Sequence, residues 1–268
     1  MLSILIPIYA KENPKFFDEC LNSILQQTVK ADEVVIVKDG PLTRELESVI
    51  HSYIKKLNIK IINIDLNVGI ATALNIALSK IQNPWIMRLD SDDVSVPNRI
   101  KIQKNTILKN KYDLFGSQIL EFDTFISKKN KKRIVPLRHN EIIYFAKKRN
   151  PFNHMTVCFN RELALSVGGY PLISGMEDYA LWIKMINAGA KTLNDDKVLV
   201  YARTGNSMFK RRGGIRYISS EIKMQRFLVT ENFKSVSSAF RDGFMRSFIF
   251  ILPIFVKKFF YSFFLRRH

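Results

Sequence analysis

Apolar positions along residues 1–125 follow two alternating rhythms. Leu2–Ile8 is a short, nearly continuous apolar run, the pattern of a buried strand. Pro14–Gln27 puts Phe17, Leu21, Ile24 and Leu25 on one side of a helix. Glu33–Val37 is β-branched and runs into Asp39-Gly40, and Leu42–Leu57 is amphipathic again. Ile59–Ile64 predicts a third strand, and the turn Asn67–Gly69 leads into a helix over Ile70–Lys80. Trp85–Leu89 predicts a fourth strand ending in Asp90-Ser91-Asp92-Asp93, with another helix after Pro97. Strands alternating with helices imply an α/β fold, a Rossmann-like, mostly parallel sheet flanked by helices.

The second half is less periodic. Lys128–Arg133 reads as a basic loop, Met155–Phe159 and Val198–Arg203 as strands, and Glu177–Ala188 as a helix. A basic, glycine-containing loop, Lys210–Gly214, leads into a helix over Ile215–Val229. From about residue 232 the chain turns to phenylalanine, isoleucine and basic residues, an amphipathic C-terminal helical extension. This divides the chain into 1–231, with halves 1–125 and 126–231, and a tail, 232–268.

Composition narrows the class. The 268 residues carry 42 basic and 24 acidic side chains, a net +18. Such an excess points to nucleic acid, an anionic membrane or phosphorylated ligands. Cys20 and Cys158 are the only cysteines, which excludes a disulfide scaffold and a cysteine-rich zinc site; both read as small core residues. No apolar stretch reaches the roughly 18–20 residues of a spanning helix, and no signal peptide is visible, so a cytoplasmic protein is expected.

In a parallel sheet the ligand sits at the carboxyl ends of the strands. Here those ends carry Pro7 and Tyr9, Asp39, Asn67 and Gly69, then Asp90, Asp92 and Asp93. In a straight strand Asp90 and Asp92 share one face and can approach one hard cation, Mg²⁺ or Mn²⁺. The competing reading is a helix cap by Ser91, Asp92 or Asp93.

Taken together, Leu2–Tyr9, Asp39-Gly40, Asn67-x-Gly69 with Asn75, and Asp90-Ser91-Asp92-Asp93 with Pro97 and Arg99 resemble family-2 glycosyltransferases of the GT-A fold. Glu177–Trp182 resembles that family's second acidic motif, and the likeness covers about residues 1–230. It implies that Asp90 and Asp92 bind the ribose and a diphosphate-bound Mn²⁺ or Mg²⁺, with Asp92 the direct ligand. Asp39 then contacts the nucleotide base, commonly uracil, with Pro7, Tyr9, Asn67 and Gly69 around the nucleotide. Lys38 and Pro41 stand where relatives carry an acid and a serine, and Leu74 replaces an arginine for which Arg88 is a possible stand-in.

Asp178, by match to the motif, is the base that takes the acceptor's proton, with Glu177 beside it. His154, before a predicted strand, is a candidate neighbour to the acceptor. Arg211 and Arg212 form a candidate lid on the diphosphate, with Arg203 a weaker one. Their competing readings are first-turn helix charge for the acids, a structural histidine, and a solvated basic loop. Phenylalanines mixed with Lys257, Lys258, Arg266 and Arg267 suggest a tail lying on an anionic membrane surface.

The expected function is an inverting, metal-dependent glycosyltransferase. It moves a sugar from a nucleotide-diphosphate donor, a UDP-sugar, to a lipid-linked glycan in surface polysaccharide synthesis. Its expected place is the inner face of the cell membrane. Alternatives are a polyprenyl-phosphate sugar synthase, a nucleotidyltransferase, and, outside enzymes, a nucleic-acid-binding protein. The last lacks any recognisable nucleic-acid motif, so no nucleic-acid partner is expected.

Overall fold

A computed structural model describes residues 1–127, 130–204 and 215–251. Lys128, Lys129, Arg211, Arg212 and the tail beyond 251 lie outside the described residues.

The first half follows the apolar rhythm closely. It runs β1 (Leu2–Ile8), α1 (Pro14–Leu25), β2 (Glu33–Asp39), α2 (Arg44–Ile54), β3 (Ile59–Ile64), α3 (Ile70–Lys80) and β4 (Trp85–Arg88). Strands β3, β2, β1 and β4 lie side by side, all parallel. Leu5 pairs with Val35 on one side and Arg88 on the other. The strand period of two then sorts side chains to opposite faces. Ile4, Ile6 and Ile8 pack with Phe17 and Leu21 of α1, while Leu5, Val35 and Val37 pack with Leu74 and Leu78 of α3.

The second half extends the same sheet. After β5 (Val94–Ser95) and α4 (Arg99–Leu108) come β6 (Leu114–Phe122), β7 (Lys131–Arg133) and α5 (His139–Ala146). Then follow β8 (Cys158–Asn160), α6 (Arg161–Ser166), α7 (Glu177–Asn187), β9 (Thr192–Arg203), α8 (Ile215–Thr230) and α9 (Val236–Ile251). The strand order is β3-β2-β1-β4-β8-β6-β9-β5, with β7 on β6. The sheet is therefore mixed beyond β4, because β8 runs antiparallel to both of its neighbours.

Three expectations change. The strand expected over Met155–Phe159 splits into a 3₁₀ turn at His154–Thr156 and then β8. The Thr156 hydroxyl closes that turn by donating to the Asn153 carbonyl at 2.8 Å. The strand expected from Val198 begins six residues earlier, at Thr192. Its polar middle, Asn194–Lys197, hides the strand pattern, and a bulge opposite Ser117–Ile119 absorbs it. Part of the basic loop, Lys131–Arg133, is an edge strand on β6.

The largest fully buried side chain is Trp182 of α7. Phe152, Phe159, His154 and Tyr170 meet it at ring separations of 5.6–6.2 Å. This aromatic knot seats α7 on the sheet and fixes where its N-terminus points. Among the described residues no helix is long and apolar enough to cross a membrane.

Candidate functional site

The carboxyl end of β2 and the entry to α3 are tied by one side chain. Asp39 accepts from the Val68 amide at 2.7 Å and the Gly69 amide at 3.0 Å. Asn67 returns a bond from Nδ2 to the Asp39 carbonyl at 3.1 Å. Gly69 has φ +85° and ψ 155°, a backbone state open to glycine alone. Gly40 is also at positive φ, and a Cβ there would lie 3.0 Å from the Asn67 nitrogen. Pro7 and Tyr9, both half-buried, close β1 beside this loop's strand, Pro7 pairing with Val37. The Asp39 carboxylate thus shapes the loop as well as standing at the expected nucleotide edge.

Asp90, Ser91 and Asp92 do not continue a straight strand, as the alternation argument supposed. β4 stops at Arg88, and the Asp93 amide bonds back to the Asp90 carbonyl at 3.3 Å, which makes a turn. Nor do these residues cap a helix: α4 begins at Arg99 behind Asn98 and has no side-chain cap. Three guanidiniums hold the turn instead. Arg88, fully buried, ion-pairs with Asp90 at 2.5 Å and donates to the Leu89 carbonyl. Arg99, also fully buried, donates to the Arg88 carbonyl at 2.6 Å. Burial pulls its pKa down to about 10. Arg203 donates from its amide to Asp93 at 2.8 Å and from Nε to the Asp92 carbonyl at 3.1 Å. Its guanidinium also pairs with Glu19 and stacks between Phe16 and Phe122, at 3.8 and 4.5 Å. Arg203 is therefore committed to the protein, and its expected role on a diphosphate gives way to holding the acidic turn. The second carboxylate oxygen of Asp93 is buried without a partner. Desolvation, then the charges of Asp90 and Asp92, raise the Asp93 pKa well above the usual range.

The second acidic pair opens α7. Glu177 is buried, and one of its oxygens has no partner. Burial, with the Asp178 charge beside it, pushes its pKa up to about 7. Asp178 accepts from Asn150 Nδ2 at 2.6 Å. His154 is half-buried, with Nε2 3.2 Å from the Tyr170 hydroxyl. Desolvation and the Arg88 charge hold its pKa well below the ordinary value, so it is neutral near pH 7. Burial raises the Tyr170 hydroxyl, and Arg88, Asp178, Glu177 and Asp90 all act on it electrostatically. The charges of both acidic motifs, far apart in sequence, thus reach Tyr170. Arg211 and Arg212, expected as a lid, lie outside the described residues.

Comparison with known proteins decides what this edge belongs to. The family model for glycosyl transferase family 2 matches residues 3–167. The chain belongs to that family. It is 38% identical to an Escherichia coli UDP-Gal:alpha-D-GlcNAc-diphosphoundecaprenol beta-1,3-galactosyltransferase over 99% of this chain and 96% of the relative. Among solved structures it resembles S. aureus TarS 1–349 in complex with UDP-GlcNAc, with TM-score 0.65 and 22% identity, over 85% of this chain and 66% of that one. It also resembles the mannosyltransferase PcManGT of Pyrobaculum calidifontis in complex with GDP-Man and Mn²⁺, with TM-score 0.60 and 18% identity, over 86% and 62%. These likenesses place the glycosyltransferase in the GT-A fold and leave the nucleotidyltransferase and nucleic-acid readings without support.

For a family-2 glycosyltransferase the acidic turn has a fitting donor set. Among the described residues no group of three or more metal-ligating side chains stands together. Asp90 and Asp92, both half-buried, instead offer hard oxygens of the kind that suit Mg²⁺ or Mn²⁺ completed by substrate phosphates and water. Asn150 and the clamp role of Arg203 were not legible along the chain. Asn150 is an isolated amide before Pro151, in the segment after α5, and its partner lies in α7.

Proposed function

We propose that this glycosyltransferase moves a sugar, with inversion, from a UDP-sugar to a lipid-linked glycan. Asp92 and Asp90 would hold Mn²⁺ or Mg²⁺, whose charge offsets that of a departing diphosphate. The acceptor hydroxyl attacks the sugar C1 as the C1–O bond to the diphosphate breaks. The electron pair leaves with the nucleoside diphosphate, and the hydroxyl proton passes to Asp178. Asp178 stands in the first turn of α7, where a helix N-terminus favours negative charge, and Asn150 orients it. Glu177 and His154 line the acceptor side, and Asp39, Asn67, Gly69, Pro7 and Tyr9 the nucleotide side. Arg211 and Arg212 would close over the diphosphate. The donor and acceptor follow the E. coli relative, whose name specifies UDP-Gal and a diphosphoundecaprenol-linked sugar. The protein would work as a peripheral protein on the inner face of the membrane.

The observation that carries this reading is the family-2 match together with the two acidic groups the structure holds in place, Asp90 on Arg88 at the end of β4 and Asp178 on Asn150 at the head of α7. A thermal-shift series with UDP, GDP, CDP and ADP, with and without Mn²⁺, tests the donor half. Ligand at 100 times its Kd adds about 2.7 kcal/mol to stability. UDP with Mn²⁺ should raise the Tm, and Asp92→Ala should remove the rise. Asp178→Asn should keep the rise and lose transfer. Turnover retained in Asp178→Asn would defeat the assignment of the base.

A further inference from the structure

Helix α9 is built inside out. A helix on the surface of a soluble protein turns its apolar stripe inward and its charges to water. The inner side of α9 instead carries Asp242 and Arg246, which meet α8 in a chain of polar bonds. Lys234 Nζ donates to Asp242 at 2.7 Å and to Gln225 at 3.0 Å. Gln225 donates to Glu221 at 2.7 Å, and Arg246 reaches the same Glu221 oxygen at 3.2 Å. Gly243 permits the close approach, since a Cβ there would lie 3.2 Å from the Gln225 side chain. The outer side carries Val236, Phe240, Phe244 and Met245, which are 70%, 77%, 68% and 59% exposed. The rings of Phe240 and Phe244 stack on each other at 6.5 Å with nothing above them among the described residues.

Charge selects the occupant. Arg241, between Phe240 and Phe244 in sequence, pairs with Asp242 at 3.3 Å and keeps 66% of its side chain exposed. Lys223 and Arg226 are exposed on α8 beside Ile222. The sequence after α9 continues with Lys257, Lys258, Arg266 and Arg267 among phenylalanines. A second copy of a chain with net charge +18 would set like charges against each other. An anionic bilayer supplies both an apolar layer for the rings and phosphates for the cations.

We infer that the outer face of α9, centred on Phe240 and Phe244, seats in the headgroup region of an anionic membrane. This rests on the reading of a lipid-linked acceptor and deepens it by naming the contact face. The seat is joined to the acceptor side of the site. The α8 residue Tyr217 lies against Gly175, two residues before Glu177, where an added Cβ would be 3.7 Å from its ring. Helix α8 thus packs against both α9 and α7, the helix that carries the proposed base.

Co-sedimentation of the full chain with vesicles tests the seat. One set is phosphatidylcholine alone and the other includes phosphatidylglycerol. The wild type should bind the anionic set far better. The double variant F240S/F244S should bind it at least ~10-fold more weakly, since each lost phenylalanine burial exceeds the 1.4 kcal/mol that a tenfold change represents. An unchanged thermal response to nucleotide would show the variant folded. Equal vesicle binding by wild type and variant would overturn the proposal, as would no binding by the wild type. A wild-type dimer in light scattering that F240S/F244S converts to monomer would also overturn it, assigning the face to a second copy. Loss of sugar transfer with vesicle binding intact would count against the proposed reaction and leave the seat standing.

Discussion

Asn150 Nδ2 sits 2.6 Å from Asp178 Oδ2. The Asn150 side-chain oxygen Oδ1 itself accepts from the Phe152 backbone amide at 3.1 Å, so the side-chain amide cannot turn freely. A backbone contact near Phe152 thereby sets the direction of the carboxylate proposed as the base. Hydrogen bonds to a charged group contribute about 1.5–3 kcal/mol.

Asn150→Ala should therefore lower kcat by roughly 10–100-fold, from that energy at 1.36 kcal/mol per tenfold. The donor KM should stay within about twofold, because Asn150 does not touch the nucleotide edge. Steady-state kinetics over both substrates checks this. A rise in donor KM alone, with kcat unchanged, would contradict the role given to Asn150.

Gly169 and Gly69 both hold positive φ, yet their alanine variants should differ. At Gly69 an added Cβ meets nothing within 4 Å, so Gly69→Ala carries the backbone cost of about 1–3 kcal/mol. At Gly169 the Cβ would fall 2.3 Å from Asn75 Oδ1. That oxygen accepts from the Tyr170 amide at 2.7 Å, and the Asn75 amide donates to the Tyr170 carbonyl at 2.9 Å. Gly169→Ala must add the loss of this clamp, about 1–3 kcal/mol more. Urea denaturation of the two variants should rank Gly169→Ala as clearly the less stable.

Arg203→Met should release the Asp92 turn. It removes the donor to the Asp92 carbonyl, the Glu19 ion pair and the stack between two phenyl rings. Mn²⁺-dependent stabilisation by nucleotide should weaken by roughly tenfold or more in apparent Kd, in line with loss of a charged hydrogen bond. Arg203→Lys should not restore it, because one ammonium cannot replace a planar fork. Calorimetric titration of Mn²⁺ with UDP measures both. Full affinity in Arg203→Lys would show that charge alone suffices.

Glu177 gives stability a pH dependence of defined sign. Its folded pKa is raised to about 7, chiefly by burial, from an ordinary value of 4.5. Between those values the folded chain holds a proton that the unfolded chain has released. Stability from this group therefore falls as pH rises from about 4.5 to 7 and is level above. Glu177→Gln stays neutral throughout. It should melt higher than wild type at pH 8, with the gap closing below about pH 5. Scanning fluorimetry at those two pH values reads the sign; a gap independent of pH would remove Glu177 as its source.

Local pattern was enough for β1 through α3, because each of those segments repeats its own period of apolar positions. Ile59–Ile64 and Ile70–Lys80 stand as the sequence predicts them. β6 escaped notice for the opposite reason: Leu114–Ile119 is buried on both faces and shows no alternation. The polar Asn194–Lys197 stretch of β9 is legible as strand only beside its partner β6.

The candidate site divides in the same way. Chain order marked Asp39, Asp90 and Asp92, since the ligand edge of a parallel sheet follows from strand order, and resemblance to the family's second acidic motif marked Glu177 and Asp178. The tertiary structure decided what holds them. It turned the Asp90–Asp92 segment out of the strand, spent Arg203 on that turn and set Asn150 on Asp178. It also put charges on the inner side of α9 and phenylalanines on the outer. Periodicity is a property of neighbours along the chain, whereas a hydrogen bond between α7 and the segment after α5 exists only once both have packed.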